Sequence, residues 1–376
     1  DVTGVQTCAL PIYMYSPFPY DRLPSKNEFF GRQDELENLS KIVNYSNNAL
    51  IYSKRRMGKS SLIKALYEKY DKEYICLYTD IFDITSKEDF ISSLLKSLAN
   101  YNKKFDLKNA IKNLTSLFKR VRFEPTIDAN TLEYSIKPNI TSLTFEDMIE
   151  DFFNSLEQLS KTSKIIIAID EFQQIANITD AKIDAILRKY IQNRTNISYI
   201  FLGSKRHILT SLFEYKAPLY EMDTHIELKA LRLEDIFDYA KKHIDISFEM
   251  CEYLYILSDK ETKLIQQILH LLYISKTTIS SKEQIDLAFE EVINSKDSSY
   301  RLLFDTLGNN QKIALKIVGK YKSGIFSQSV LKEFNIKKQT LQSSVEALFK
   351  SELIDKNDDR YFIPDRTFEL WVERLV

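Results

Sequence analysis

Five short apolar runs recur through the first 233 residues, and amphipathic or polar stretches separate them. The run KIIIAIDE is apolar without alternation up to its two terminal acids, which is typical of a strand buried on both faces of a parallel sheet. Residues 144–159 carry apolar side chains at helical spacing. The pattern predicts an α/β fold with a parallel sheet, whose first four strands we place at residues 49–52, 74–82, 164–171 and 198–203. Residues 226–233 predict the last strand and its exit.

Residues 103–139 interrupt this alternation after the second strand. Leu107, Ile111, Leu114 and Leu117 predict a helix from their spacing, and the alternating stretch after it predicts a hairpin with its turn near residues 128–130. Such an insertion serves either as a partner-binding surface or as a decoration of the fold, and the sequence leaves both interpretations open.

The pattern becomes helical after the last strand. Residues 233–297 predict a small helical lid. Helices at 310–319, 328–333 and 338–350, followed by a polar hairpin at 355–364, form the succession of a winged helix. We expect Trp371 to anchor the final helix in that domain.

A polar turn, SKRRMGKS, joins the first strand to the next helix at residues 53–60. It matches the phosphate-loop pattern G-x-x-x-x-G-K-[ST] except at its first position, where Ser53 replaces glycine. Backbone N–H groups at a helix N-terminus bind anions. In this pattern we expect Lys59 to reach the β- and γ-phosphates and the Ser60 hydroxyl to hold Mg²⁺. We therefore expect a nucleotide site made by Ser53, Arg55, Arg56, Met57, Gly58, Lys59, Ser60 and Ser61.

Asp170 and Glu171 end the buried strand KIIIAIDE. Ligands of open α/β sheets bind at the carboxyl ends of the strands, so we expect Asp170 to hold Mg²⁺ together with Ser60. Glu171 would polarise the water that attacks the γ-phosphate. Acids at such a place also serve as helix N-caps. The two motifs occur in order, each with its own strand and turn, which favours the nucleotide site.

FFGRQDELENL, YSKRRMGKSSL, IAIDEFQQIA and FLGSKRHIL follow one another along the chain. Together they resemble the archaeal-type ATPase family, a branch of the P-loop ATPases related to the AAA+ and STAND groups. In similar bacterial members the first loop position is commonly serine as well. The resemblance implies ATP binding and hydrolysis on a P-loop NTPase (AAA+-like) parallel sheet core with a helical lid and a C-terminal winged-helix domain.

The resemblance also implies roles for residues outside the phosphate loop. It places Phe30 and Gly31 beside the adenine, whereas Arg32 is either close to the base or an ordinary surface charge at a helix start. By analogy with the AAA+ sensor, Ser204 would sense the γ-phosphate or orient water. Arg206 would stabilise transition-state charge in its own subunit or across a subunit contact.

The resulting division has four parts. Residues 2–12 match the translation of a short-read sequencing adapter, so we expect residues 1–12 to be an assembly artefact. Residues 13–232 form the predicted P-loop ATPase core, with its insertion at 103–139. The lid takes residues 233–297 and the winged-helix domain residues 298–376.

Charge argues against a polybasic nucleic-acid binder. The net charge is -1, and residues 301–376 hold 13 Lys and Arg against 10 Asp and Glu, a modest excess for a phosphate-binding face. The predicted recognition helix offers only Lys337, Lys338, Gln339 and Lys350 to DNA.

The four histidines have no metal-ligand spacing. No convincing membrane span is found, so we expect a cytoplasmic protein without a membrane partner.

The function expected from the sequence is an ATP-driven conformational switch that uses ATP and Mg²⁺, in which the winged helix either docks on a protein client or acts within the chain. The alternative is a nucleotide-regulated DNA-binding protein that uses the winged helix. A third hypothesis is an interaction scaffold with a structural ATP site. The sequence makes no prediction about oligomeric state.

Overall fold

The computed structural model describes residues 15–101, 107–127, 134–139, 143–192, 195–204, 206–276, 278–321, 323–357 and 360–375. The expected artefact at residues 1–12 and the hairpin turn near 128–130 lie outside these ranges. The chain divides into two compact units, Leu23–Ala230 and a second unit in which residues 15–22 join those from Leu231 onward.

The first unit contains a five-stranded sheet. Its elements are α1 (Gln33–Asn44), β1 (Ala49–Tyr52), α2 (Lys59–Tyr70), β2 (Ile75–Asp80), α3 (Lys87–Tyr101), α4 (Leu107–Leu117), β3 (Arg122–Ile127), β4 (Tyr134–Asn139), α5 (Phe145–Ser160), β5 (Ile165–Asp170), a 3-10 helix (Phe172–Asn177), α6 (Ile183–Ile191), β6 (Ile197–Gly203), α7 (Arg206–Ser211) and β7 (Thr224–Glu227).

The sheet has the order β2-β5-β6-β1-β7, and its paired strands are parallel. This confirms the predicted fold class. The last strand differs from the prediction, because β7 begins at Thr224 and ends at Glu227. The strand therefore begins before the predicted start at residue 226, and the buried residues Leu228 and Leu231 belong to the predicted exit.

Strand β5 is buried along its whole length. Because successive side chains of a strand point to opposite faces, Ile166 and Ala168 join the core beneath α1 and α2. Ile165, Ile167 and Ile169 join the larger core that includes α3 and α5. The sheet is therefore covered on both faces. Asp170, the last residue of β5, lies at the edge formed by the carboxyl ends of the parallel strands.

The insertion contributes to that larger core. Strands β3 and β4 form an antiparallel hairpin that buries Phe123 and Ile136. The carboxylate of Asp151, on α5, accepts hydrogen bonds from the backbone N–H groups of Arg120 (2.6 Å) and Val121 (3.0 Å). The hairpin is thereby part of the packed structure.

The second unit is mainly helical. It comprises α8 (Leu233–Ala240), α9 (Phe248–Leu257), α10 (Thr262–Ser275), α11 (Lys282–Ser295), α12 (Asp297–Asp305), α13 (Asn309–Lys320), α14 (Gln328–Glu333), α15 (Lys338–Lys350), β8 (Asp355–Asn357), β9 (Arg360–Phe362) and α16 (Arg366–Glu373). Helices α14 and α15 and the antiparallel pair β8–β9 form the predicted winged helix. Trp371 is buried and donates a hydrogen bond to Asp297 (2.8 Å).

Residues 15–22 belong to this second unit, whereas the expected core began at residue 13. The reason is Phe18, which is fully buried with its ring edge-on to Tyr239 and His243. The Tyr239 hydroxyl also donates to the Pro17 carbonyl (2.8 Å).

Among the described helices of both units, none has the length and apolarity needed to cross a bilayer.

Tyr67 ties the helix after the phosphate loop to two neighbouring strands. Its hydroxyl donates to the Leu77 carbonyl on β2 (2.5 Å) and accepts from the Ala168 N–H on β5 (3.1 Å). Burial raises the pKa of this hydroxyl well above its ordinary value. Since β2 and β5 end at Asp80 and Asp170, which are aligned, Tyr67 helps to fix the edge that carries these acids.

Candidate functional site

The loop of residues 53–58 connects β1 to α2. The Ser53 N–H donates to the Gly203 carbonyl at the end of β6 (3.4 Å). Gly58 precedes α2 with φ +92°, a left-handed conformation that glycine adopts without a steric penalty. The first N–H groups of a helix lack intrahelical partners and lie at the positive end of its dipole. The N-terminus of α2 is therefore suited to an anion.

Lys59 begins α2 and is only 7 % exposed. Its Nζ donates to the Ser53 hydroxyl (3.4 Å) and the Lys54 carbonyl (3.5 Å). Burial lowers the pKa of Lys59, while the Asp170 and Glu171 carboxylates act in the opposite direction. An anionic ligand would stabilise a largely buried ammonium of this kind. Opposite charges attract more strongly where water screens them poorly, and a buried charge is costly without a partner.

The carboxylate of Asp170 lies directly beside Ser60. It is 5 % exposed and accepts hydrogen bonds from the Ser60 hydroxyl (3.0 Å), the Tyr78 hydroxyl (2.7 Å) and the Glu171 N–H (2.9 Å). A hydroxyl and a carboxylate are hard oxygen donors of the kind that bind Mg²⁺, which commonly takes its other ligands from water and phosphate. The pair thus fits this ion. The described residues contain no cluster of three or more His, Cys, Asp or Glu suited to a metal.

Sequence reasoning missed Tyr78 and Asp80 at this edge. Burial raises the pKa of the Tyr78 hydroxyl, and the neighbouring Asp170 carboxylate adds to the shift. Burial also raises the pKa of Asp80, to which repulsion from Asp170 and Glu171 contributes. The sequence does contain a signal for Asp80. Strand β2, like β5, ends in an aspartate, and parallel strands end at the same edge of a sheet.

Glu171 follows Asp170 in a left-handed backbone conformation, with φ 54° and ψ 39°. Its Oε2 accepts hydrogen bonds from the Ser204 hydroxyl (3.2 Å) and from the Gln173 amide. The structure thus brings Glu171 and Ser204 together, and it adds Gln173, which the sequence had not singled out. Arg206 is the first residue of α7, and its side chain lies outside the described part of the structure.

Arg32 is a buried residue of this site and not a surface charge. It is 4 % exposed and donates to the Met57 carbonyl of the loop (3.1 Å) and to the Lys229 carbonyl (2.6 Å). Glu35 pairs with it at 2.8 Å. Arg32 therefore links the phosphate loop to the residues after β7 through hydrogen bonds.

The other predicted residues surround this loop. Phe30 and Gly31 are half-buried and directly precede Arg32. Arg55 and Arg56 are exposed on the loop, and the Arg55 guanidinium lies 6.0 Å from the centre of the Phe82 ring. Met57 is buried, and Ser61 is half-buried in the first turn of α2.

A family model described as an ATPase domain predominantly from Archaea matches residues 29–268. The chain belongs to this ATPase family. A second model, described as a "probable winged helix domain", matches residues 298–374. No match was found among curated proteins.

Solved structures resemble this member of the archaeal ATPase family along nearly its whole length. A Walker-type ATPase of Pyrococcus abyssi has a TM-score of 0.62 at 17 % identity, covering 95 % of this chain and 99 % of that chain. The ORC2 protein of Aeropyrum pernix, solved as ADPNP–ADP complexes, has 0.57 at 13 %, covering 96 % of each chain. ORC1 of the same organism, solved with DNA, has 0.55 at 9 %, covering 95 % of each. The fold is that of the P-loop ATPases with a C-terminal winged helix.

We expect replacement of Arg32 to loosen the phosphate loop. Arg32→Ala removes charged hydrogen bonds to two carbonyls and should lower the free energy of unfolding by about 3 kcal/mol, measured by circular dichroism in urea. Arg32→Lys should recover little of this loss, because one ammonium lacks the forked geometry of a guanidinium.

Lys41→Ala is the matched control on α1, since Lys41 is exposed and pairs with Glu37 at the surface. It should leave the urea midpoint unchanged. A urea midpoint equal to that of the wild type in Arg32→Ala would contradict the role of Arg32 in stabilising the loop.

Proposed function

We propose that this chain binds ATP with Mg²⁺ and hydrolyses it to ADP and phosphate. The observation that carries the proposal is the 3.0 Å contact between the Ser60 hydroxyl and the Asp170 carboxylate at the N-terminus of α2, next to the buried Lys59. Membership of an ATPase family and the ADPNP–ADP complexes of a protein with the same fold support it.

Binding is assigned to the loop and the start of α2. Backbone N–H groups of Ser53–Ser61 surround the phosphates, and Lys59 neutralises the β- and γ-phosphates. Ser60 and Asp170 hold Mg²⁺, which when bound withdraws charge from the phosphate oxygens. Arg55, Arg56, Met57 and Gly58 shape the loop, and Phe30 and Gly31 are assigned to contacts with the base.

Hydrolysis is assigned to the groups at the ends of β5 and β6. Glu171 takes a proton from water as the water oxygen bonds to the γ-phosphorus and the bond to the β–γ bridging oxygen breaks. Ser204 donates a hydrogen bond to Glu171 (3.2 Å) and is assigned to sensing the γ-phosphate. Arg206 is assigned to stabilising transition-state charge.

Steady-state phosphate release tests this assignment. Glu171→Gln should lower turnover at least about 100-fold while ATP still binds, because the proton acceptor is lost. Lys59→Ala should weaken ATP binding itself, measured by equilibrium titration with a fluorescent ATP analogue.

The exposed pair on α1 supplies matched controls, since Lys41→Ala and Glu37→Gln alter a surface contact of 2.9 Å. Both should behave as wild type. Equal turnover in the wild type, Glu171→Gln and Lys59→Ala would refute the catalytic assignment.

We further propose that nucleotide turnover acts as a conformational switch. The division into two compact units, with the nucleotide loop within Leu23–Ala230 and the winged helix in the other, supports this proposal. A switch requires the two nucleotide states to stabilise different conformations.

Hydrogen exchange should detect the switch. We expect the amide protection of α8–α16 to differ between ATP-bound Glu171→Gln and ADP-bound wild-type protein, because the γ-phosphate is present only in the former. Lys59→Ala should show no nucleotide-dependent change at the same nucleotide concentration. Identical protection of these helices in both nucleotide states would contradict the switch.

Regulated DNA binding is the less favoured alternative. The exposed positions of α15 combine Lys338, Gln339 and Lys350 with the acidic Glu346, so this helix presents no uniformly basic face. The ORC1 structure with DNA shows that a protein of similar fold binds DNA.

We expect no retardation of a duplex DNA fragment by this protein in low salt, with or without ATP, because few cations face outward on α15. A gel-shift titration at two salt concentrations checks this. A salt-dependent shift that is lost in the double variant Lys337→Ala, Lys338→Ala would replace the protein-client hypothesis by the DNA-binding one.

A further inference from the structure

Gln173 is a buried polar residue that the roles assigned above do not use. It lies in the 3-10 helix Phe172–Asn177 that follows β5 and is 3 % exposed. Its Nε2 donates a hydrogen bond to Oε2 of Glu171. Its Oε1 is buried and has no hydrogen-bond partner among the described residues. A buried amide with one satisfied and one unsatisfied end requires an explanation.

Gly203, at the end of β6, provides the space for this amide. A Cβ atom at position 203 would lie 2.1 Å from Oε1 of Gln173, which is far below van der Waals contact. The Leu209 side chain would be 3.0 Å from the same Cβ. A residue with a side chain at position 203 would therefore displace the Gln173 amide.

The orientation of the amide follows from the carboxylate of Glu171. If the amide were rotated by half a turn, its oxygen would face the Glu171 carboxylate, and two acceptors would repel one another. The observed orientation keeps the nitrogen on Glu171 and leaves the oxygen against Gly203 without a donor. The contact with Glu171 is thus the one that determines how Gln173 is placed.

The two donors to Glu171 converge on a single oxygen. Gln173 and Ser204 both donate to Oε2, and no described residue donates to Oε1. The left-handed backbone at Glu171 fixes the base of the same side chain. The carboxylate is therefore held with one oxygen engaged and the other oxygen available to accept a proton.

We propose that Gln173 is a positioning residue for ATP hydrolysis, which holds Oε2 of Glu171 so that Oε1 receives the proton of the attacking water. This inference rests on the proposed ATPase function and adds a residue to it. Gln173 acts through Glu171, and its amide remains in place only because position 203 is glycine.

Steady-state kinetics separates this role from a merely structural one. Gln173→Ala should lower kcat about 10- to 100-fold, as expected for a misplaced catalytic group, and leave the KM for ATP and the affinity for a fluorescent ATP analogue within about twofold of wild type. Gln174→Ala is the matched control, because the adjacent amide is also buried but contacts Asn177 (2.6 Å). It should retain wild-type kcat.

A double-mutant cycle tests the link to Gly203. Gly203→Ala alone should lower kcat by a factor similar to that of Gln173→Ala, because its methyl group displaces the amide. In the Gln173→Ala background the 2.1 Å clash is absent and only the 3.0 Å contact with the end of the Leu209 side chain remains. A small shift of that side chain relieves this contact, so Gly203→Ala should cause no further loss. Additive losses, an unchanged kcat in Gln173→Ala, or a rise in kcat would each overturn the proposal.

A spectroscopic measurement keeps this test separate from that of the ATPase function. With glutamine side chains labelled with ¹⁵N, the Gln173 amide signal is the one lost in Gln173→Ala, and it should shift in both Glu171→Gln and Gly203→Ala. An unmoved signal would overturn the inference whatever the turnover. Wild-type turnover no higher than that of Lys59→Ala would instead refute the proposed ATPase, and with it the catalytic role of Gln173.

Discussion

The burial of one carboxylate, that of Asp170, is the constraint on which the rest of the site depends. A charge removed from water is tolerated when hydrogen-bond donors surround it. The donors here are Ser60 on α2, Tyr78 on β2 and the N–H of Glu171 after β5. Because each belongs to a different segment, the contacts that compensate for burial also fix the phosphate loop against the carboxyl edge of the sheet.

Charges of both signs lie around this carboxylate. Burial disfavours the charged form of Lys59, and the two acids at the end of β5 oppose that effect. The same acids repel Asp80 on the neighbouring strand. Glu171 adds a left-handed backbone, a conformation that costs a residue with a side chain about 1–3 kcal/mol and that clusters at functional sites. A left-handed residue and three acids thus lie together at the carboxyl edge of the sheet.

Local patterns revealed most of the fold but only part of the site. The strands, the phosphate loop and the winged helix have periodicities and turn residues that a single segment displays. Arg32 differs, since its carbonyl partner Lys229 is 197 residues away along the chain. In its own segment it resembles a surface charge at a helix start.

Gly203 shows how two sequence motifs form one physical unit. Glycine inside a strand lowers stability by about 0.5–1 kcal/mol relative to alanine. From the sequence alone, Gly203 is simply the last residue of β6. The structure supplies the reason, because the Gln173 amide occupies the space of the absent side chain. That amide in turn takes its orientation from Glu171. The residue types at these three positions therefore depend on one another, so the segments IAIDEFQQIA and FLGSKRHIL describe a single arrangement around the proposed catalytic carboxylate.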